Sequence, residues 1–237
     1  MLCVILQPSY IPWRGYFDQI RRADTFVFLD TAPYDARGWR NRNRIKSADG
    51  SRWLTIPVQR KGSQQARTPL SEIRIHWEHD WRVTHRRSLE HAYARAPHWK
   101  EMTPLLDRIY GDRHERLVDL TIHATHCVAS QLGLGETRFL RASELDDVPG
   151  EGSERIQTLL NRVGADRYLT GPSAQNYLDI DALNGDGIEV EFMAYDYPEY
   201  PQLHPPFDPE VSILDLLFNA GPLASSYFDR DPDAETR

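Results

Sequence analysis

Amide, hydroxyl and aromatic side chains cluster directly after the first apolar stretch of the chain, residues 2–6. They belong to Gln7, Ser9, Tyr10, Trp13 and Tyr16. Polar groups beside flat rings are the combination that holds a sugar or a nucleobase. Alternatively, Trp13 and Tyr16 pack a helix on a sheet. We favour a ligand site, because ligands of parallel sheets collect beyond the carboxyl ends of the strands.

A second polar cluster follows Trp39 and contains Asn41, Arg42, Asn43 and Arg44. A guanidinium group can bind phosphate or carboxylate through two parallel hydrogen bonds. A solvated loop would have a similar composition. Because Trp39 and Ile45 flank the run, we expect part of it to be held against the protein body. We therefore predict an anion site, with Arg42 as its leading residue.

A third cluster comprises Gly171, Ser173 and Tyr177, which follow a short apolar segment at 167–170. If residues 174–178 form a helix, its first backbone N–H groups could bind an anion, and Tyr177 would face the same crevice. A plain strand-to-helix turn fits these residues equally well.

A proline-rich segment at 195–207 could form a lid over a pocket or a simple cover. Its polar residues, and those just after it, are Tyr200, Gln202, His204, Ser212 and Asp215. His204 is the leading candidate for a general base, because imidazole titrates near neutral pH. Asp30, at the end of the second apolar run, is the other candidate proton acceptor.

The spacing of His123 and His126, beside Cys127 and near His114, is compatible with zinc binding. A third ligand at a convincing spacing is missing, and no HExxH motif occurs, so we interpret these as helix-surface histidines. The prediction is no metal and no cofactor. Cys127 on an apolar stripe and Cys3 in the first apolar stretch are not expected to be nucleophiles.

The apolar patterns that must position these clusters predict an α/β fold. Residues 2–6, 16–22 and 25–29 form a strand, a helix and a strand, which implies a parallel sheet with a right-handed crossover. Further strands are predicted at 53–58, 141–145, 167–170 and 188–193, and helices at 153–163 and 211–219. Ser153 is a plausible N-cap of the first of these helices, and Gly164 and Gly221 suit the two C-termini.

Residues 77–132 lack strand patterning and show the spacing of about three helices. The expected architecture is a Rossmann-like, mostly parallel sheet with helices on both faces and a helical insertion in the middle of the chain. We expect one domain over residues 1–228 and a flexible tail over 229–237.

Composition narrows the classes of partner. The 237 residues carry a formal charge of -7, which argues against nucleic-acid binding through phosphate neutralisation. The first residues lack a basic segment and a cleavage site, and no apolar stretch is long enough to span a bilayer. Two cysteines offer no disulfide framework, so a cytoplasmic protein with a small-molecule partner is expected.

Four segments spread over residues 7–221 together resemble the WbqC-like family. They read QPSYIPWRGYFDQI, GWRNRNRIK, YLTGPSAQNYLD and YPQLHPPFDPEVSILDLLFNAG. Members of that family occur among bacterial genes for O-antigen, other surface glycans or specialised metabolites. The resemblance implies a sugar-modifying, acyl-transferring or aminoacyl-transferring enzyme.

The first strand and helix are also similar in layout to nucleotidylyltransferase-type and class I synthetase-type domains, which carry two histidines after strand one. The matching stretch here, residues 13–16, contains no histidine, and neither a P-loop nor a GxGxxG motif is present. Activation of a nucleotide by imidazole groups is therefore not expected.

The leading hypothesis is transfer of an acyl or aminoacyl group to an amine on a nucleotide-linked sugar or small metabolite. A nucleotide-sugar and a carrier-protein thioester are the candidate partners. His204 or Asp30 would accept the amine proton. The alternatives are a nucleotidylyltransferase-like enzyme and a non-catalytic module that binds a glycan precursor or a carrier protein. The six residues expected to converge on one pocket are Gln7, Tyr10, Asp30, Arg42, Ser173 and Gln202.

Overall fold

The computed structural model describes residues 1–59, 67–145 and 148–229. Its strands are β1 (Leu2–Leu6), β2 (Thr25–Phe28), β3 (Arg42–Ser47), β4 (Gly50–Thr55), β5 (Arg138–Arg141), β6 (Arg167–Thr170) and β7 (Glu189–Phe192). Its α-helices are α1 (Arg14–Arg22), α2 (Trp81–Tyr93), α3 (Trp99–Gly111), α4 (Leu117–Gln131), α5 (Gly152–Val163), α6 (Ile180–Gly185) and α7 (Ile213–Ala220). Apart from Asp229, the predicted tail lies outside these residues.

The central sheet contains five strands in the order β5-β2-β1-β6-β7, and all of its neighbouring strands are parallel. Both faces of β1 are covered. Leu2 and Val4 point into one hydrophobic core, whereas Cys3 and Ile5 point into a second core that includes Leu159 of α5. A central strand buried on both faces reads as a continuous apolar run, which is why β1 was identifiable. The predicted Rossmann-like α/β fold is confirmed.

The strand order changes direction at β1, which pairs with β2 on one side and with β6 on the other. In open α/β sheets, the crevice beyond the carboxyl ends of two such strands is the usual position for a ligand. Gln7 and Gly171 each follow one of these strands. The topology therefore brings two distant parts of the chain to one edge of the sheet.

Three helices, α2, α3 and α4, occupy the predicted helical insertion between β4 and β5. They cover the face of the sheet that carries Val4 and Phe28. Within the described residues, no helix combines the length and apolar character needed to cross a membrane.

The run of Asn and Arg residues predicted as a loop is instead β3. It pairs antiparallel with β4, from Arg42 opposite Thr55 to Ser47 opposite Gly50, as a two-stranded sheet. Gly50 has a φ of 102°, which suits the tight turn that joins the strands. The predicted strand at 53–58 therefore begins earlier and belongs to this hairpin and not to the central sheet.

Two other predicted elements differ in type. The strand predicted at 141–145 ends at Arg141, and Ala142–Glu144 is a 3-10 helix because Asp30 accepts hydrogen bonds from the Ser143 amide and hydroxyl. The helix predicted at 174–178 is a 3-10 helix at Pro172–Asn176.

The ends of α5 show one wrong prediction and one correct one. The helix begins before Ser153, so this residue is not its N-cap; its hydroxyl instead accepts a hydrogen bond from the Asp179 amide. The predicted end at Gly164 is confirmed by a left-handed φ of 73°.

A chain of buried hydrogen bonds joins the β1–α1 loop to the helical insertion. The Tyr10 hydroxyl lies 2.8 Å from Nδ1 of His85 and 2.5 Å from the Tyr110 hydroxyl. Nε2 of His85 donates to the Thr55 carbonyl at 3.2 Å. This contact fixes the tautomer, so Nδ1 accepts a hydrogen bond from the Tyr10 hydroxyl and the imidazole is neutral. Burial lowers the pKa of His85 to about 4.

We expect His85 to make the protein less stable as the pH falls from about 6.5 towards 4. The unfolded chain binds the proton in this range and the folded chain does not, so each pH unit removes up to about 1.4 kcal/mol. The measurement is the free energy of unfolding by urea across this range, for the native chain and for His85→Gln. Above pH 6.5 the two curves should run parallel. Equal slopes below pH 6.5 would show that His85 titrates normally in the folded protein.

Candidate functional site

A cavity of about 560 Å³ lies at the carboxyl ends of β1 and β6. Its floor contains Leu6 and Gln7 at the end of β1 and Thr170 and Gly171 at the end of β6. This volume lies within the range of small-molecule sites. The position is the crevice where the strand order changes direction.

The backbone carbonyl of Gln7 organises the floor of the cavity. It accepts hydrogen bonds from the Ser9 hydroxyl at 3.3 Å, the Tyr16 hydroxyl at 3.3 Å and Nη1 of Arg40 at 3.2 Å. The side-chain amide of Gln7 makes no hydrogen bond to any other residue that the structure describes. It is therefore free to bind a ligand.

Arg40 lines the same cavity and is the least compensated charge there. In the described part of the chain, no carboxylate oxygen lies within 4.0 Å of its guanidinium, and its buried Nε has no hydrogen-bond partner. Burial lowers the pKa of Arg40, although an arginine in a protein remains protonated. A partly buried cation without an ion-pair partner is costly, so an anion in the cavity would relieve that cost.

Aromatic rings form much of the cavity wall. Trp13 packs edge-on against Tyr195, with ring centroids 4.9 Å apart, and Trp39 and Tyr177 also face the cavity. The Trp13 ring lies so close to Gly15 that a Cβ there would approach it to 2.4 Å. Glycine is therefore required at position 15 for this wall to form.

Tyr195 closes the cavity between its two strands. Its hydroxyl accepts a hydrogen bond from Nε2 of Gln19 at 3.2 Å and would lie 3.1 Å from a Cβ at Gly171. Gly171 thus allows the tyrosine to approach the end of β6. Burial raises the pKa of Tyr195 to about 12, so its phenol is neutral at physiological pH.

Asn43 holds the β1–α1 loop in a strained conformation. Ile11 has a φ of 36°, an unusual value for a β-branched residue. Nδ2 of Asn43 donates to the Tyr10 carbonyl at 3.0 Å and to the Ile11 carbonyl at 2.8 Å. Because this loop carries Ser9 and leads into Trp13, the hairpin fixes the shape of the cavity.

The structure brings eight of the residues selected from sequence into this cavity. They are Gln7, Ser9, Trp13, Tyr16, Asn43, Gly171, Ser173 and Tyr177. Nine others do not line it, namely Tyr10, Asp30, Asn41, Arg42, Tyr200, Gln202, His204, Ser212 and Asp215. The expected convergence of six residues on one pocket is therefore wrong except for Gln7 and Ser173.

Both residues expected to accept a proton are bonded elsewhere. Asp30 is fully buried and accepts from the Ser143 amide at 2.9 Å and hydroxyl at 2.6 Å. Nε2 of His204 donates to the Ala92 carbonyl in α2 at 3.0 Å. These contacts give both side chains a role in holding loops.

The Asn and Arg residues separate because β3 alternates between two faces. Asn41 precedes the strand and donates to the Ile56 carbonyl at 2.9 Å. Arg42 lies over the Trp53 ring, 4.5 Å from its centroid, and donates to the carbonyls of Arg37 and Gly38. The cavity receives Asn43 and Arg40, the latter from just before the predicted anion-binding run.

The residues of the proline-rich segment form a buried network. Asp215 accepts hydrogen bonds from Tyr93 at 2.9 Å, Tyr200 at 2.8 Å and Gln202 at 2.9 Å. Burial raises the pKa of Asp215 above its ordinary value, and these donors oppose that effect. Ser212 caps α7 through the Leu214 amide. The network joins the segment to α2 and α7.

Sequence reasoning missed several cavity residues, including Gln19, Trp39, Arg40, Tyr195 and Glu210. The alternation of Asn and Arg over residues 41–44 could have indicated a strand. In a strand, Arg42 and Arg44 point to one side and Asn43 points to the other. Nothing comparable marked Tyr195 or Glu210, which reach the cavity only through tertiary packing.

The strand order defines a doubly wound α/β protein, and its cavity lies where that order changes direction, between β1 and β6. The sequence profile of the WbqC-like protein family matches residues 7–227, so the chain belongs to that family. It is also 40% identical over 227 residues to the uncharacterized protein Rv1507c of Mycobacterium tuberculosis, covering 94% of this chain and 95% of that protein. No solved structure matches the chain.

Replacing Asn43 by alanine should lower the free energy of unfolding by about 1–3 kcal/mol, because two loop carbonyls lose their donor. The matched control is Arg42→Ala, one residue away but directed to the outer side, where we expect a loss below about 1 kcal/mol. Chemical denaturation of both variants gives the comparison. A larger loss for Arg42→Ala would contradict the role assigned to Asn43.

Proposed function

We propose that this protein binds a small anionic metabolite in the cavity between β1 and β6, with the anionic group on Arg40. The buried Nε of Arg40 without a partner is the observation that carries this proposal. A guanidinium group binds phosphate or carboxylate through paired hydrogen bonds. Glu210, which also lines the cavity, does not neutralise Arg40, since it pairs with Arg44 at 2.6 Å.

The rest of the ligand would be a sugar or another ring. Trp13, Trp39 and Tyr177 supply flat faces, while Gln7, Ser9 and Ser173 supply hydrogen-bonding groups. A nucleotide-linked sugar has both parts, a phosphate group and rings. Membership of the WbqC-like family and the resemblance to proteins of surface-glycan and specialised-metabolite pathways favour this class of ligand.

The reaction we propose is transfer of an acyl or aminoacyl group to an amine of the bound metabolite, in the cytoplasm. The amine nitrogen attacks the donor carbonyl, the new C–N bond forms, and the C–O or C–S bond of an ester or carrier-protein thioester breaks. Glu210 would accept the amine proton, and the departing alkoxide or thiolate takes up a proton. Glu210 replaces His204 and Asp30 in this role because its side chain is open to solvent and lines the cavity.

A non-catalytic module that binds a glycan precursor is the second candidate. The observation that favours it is the engagement of Asp30 and His204, the two side chains expected to act on protons, by the protein itself. In this case the cavity would bind its ligand without changing it.

Arg40→Met should weaken binding of an amine-bearing uridine or thymidine diphosphate sugar at least about tenfold, because loss of a charge-assisted hydrogen bond costs about 1.5–3 kcal/mol. Arg42→Met is the matched control and should bind normally. Calorimetric titration measures both, after thermal-shift screening selects the sugar. Mass spectrometry of co-purified small molecules gives an independent view of the ligand class.

Equal affinities for the two variants would overturn the anion site at Arg40. Stabilisation by a nucleoside triphosphate with Mg²⁺, but by none of the nucleotide sugars, would instead favour a nucleotidylyltransferase-like enzyme.

Glu210→Gln should reduce turnover at least about tenfold while leaving nucleotide-sugar binding unchanged, since general-base catalysis contributes about 10²–10⁴-fold. The assay follows acylated product by mass spectrometry, with acyl and aminoacyl thioesters as donors. Glu189→Gln, an exposed carboxylate on the edge strand β7, is the control. Binding without any product from the native chain would favour the non-catalytic module, and full activity of Glu210→Gln would remove its assigned role.

A further inference from the structure

A second cavity, of about 530 Å³, opens beside the carboxyl ends of β2 and β5 and is bordered by α4. Three histidines, His114, His123 and His126, line it. It shares no lining residue with the cavity between β1 and β6, so its chemistry is a separate question.

Three side chains that can bind a metal converge beside this second cavity, and two of them, His114 and His123, line it. One donor atom from each of Asp112, His114 and His123 lies within 4.8 Å of the other two. A Zn²⁺ ion with bonds of about 2.0–2.2 Å holds its donors roughly 3.0–3.6 Å apart. Asp112 is exposed on the short connection after α3, so a small rotation of its side chain can close the remaining gap.

The orientation of His123 suits a ligand. Its Nε2 donates a hydrogen bond to the Arg108 carbonyl at 2.9 Å, which leaves the Nδ1 lone pair free. Metal-binding histidines commonly donate their second ring N–H to a backbone carbonyl in this manner. Cys127 is not a fourth ligand in this arrangement, because its Sγ lies 3.5 Å from Nε2, the nitrogen that carries the proton.

His114 has a buried ring nitrogen, Nε2, that could bind a metal ion. Its Nε2 has no hydrogen-bond partner in the described part of the chain. The backbone at this residue is held in place, because the Trp77 indole N–H donates to the His114 carbonyl at 3.0 Å. The rings of His114 and His123 lie 5.1 Å apart, centroid to centroid. A metal ion between them would satisfy the unused nitrogen.

We propose that Asp112, His114 and His123 bind a divalent transition metal, with Zn²⁺ as the reference ion, and that its remaining coordination positions face the second cavity. Two imidazoles and one carboxylate form a ligand set that binds Zn²⁺, Co²⁺ or Fe²⁺ and leaves positions open for water or a small anion. The set joins the end of α3 to α4, so the ion also links two helices of the insertion.

His126 supplies the matched control. It lies three residues after His123 on α4 and lines the same cavity, but its ring packs edge-on against Phe139 with centroids 4.6 Å apart. It is absent from the group of converging ligand atoms. His126→Ala therefore removes a nearby histidine without removing a proposed ligand.

The test is titration of chelator-treated full-length protein with Zn²⁺ by calorimetry, together with Co²⁺ absorption spectroscopy. We expect one equivalent of Zn²⁺ to bind, and a Co²⁺ d–d band typical of four or five ligands. His114→Ala and Asp112→Asn should each weaken binding at least about tenfold, since loss of even an outer-sphere partner costs 10–100-fold. His126→Ala should bind as the native chain does.

Far-UV circular dichroism distinguishes a variant that has lost a metal-ligating side chain from one that has lost its fold. Asp112→Asn is the variant expected to disturb folding least, because Asp112 is exposed. No Zn²⁺ binding by the native chain would overturn the proposal. Binding that is unchanged in both His114→Ala and Asp112→Asn, or lost in His126→Ala alone, would also overturn it.

Discussion

The position of β1 between β2 and β6 is the constraint on which the cavity depends. Backbone pairing with β2 extends to Leu6, whose carbonyl accepts from the Leu29 amide, and pairing with β6 ends at Val4. The next carbonyl, that of Gln7, is therefore free to accept from the Ser9, Tyr16 and Arg40 side chains. This one backbone oxygen thus holds the Ser9 hydroxyl, the Tyr16 phenol and the Arg40 guanidinium together. They lie in the crevice where the strand order changes direction, which is where this fold class binds ligands.

Burial of Arg40 has an energetic cost that is not offset by an ion pair within the described residues. The hairpin of β3 and β4 sustains this arrangement, because Asn43 holds the strained loop at Ile11. Strained backbone and an uncompensated charge are features that proteins retain at functional sites. In contrast, the ionisable groups around Asp215 are saturated with hydrogen bonds and are best understood as structural.

The helical insertion contributes to both halves of the molecule. Through His85 and Tyr110 it fixes the loop that follows β1, and through α4 it forms the wall of the second cavity. The first contact gives the neutral, buried His85 a structural role. The second places three histidines beside the same carboxyl edge of the sheet, at β2 and β5. The insertion is therefore part of the architecture of both cavities.

Local pattern alone was sufficient for β1, β2, β6 and the family, because buried strands appear as apolar runs and the four family segments are long. It also predicted that Gln7, Trp13 and Ser173 lie beyond the strand ends, where they line the cavity, since the ends of parallel strands share one edge of a sheet. The partners of Asp30, His204 and Asp215 could not be known, because each lies far away in sequence or across a turn. Whether a polar side chain lines a cavity or fastens two elements depends on which distant donors reach it, and only the tertiary structure decides that.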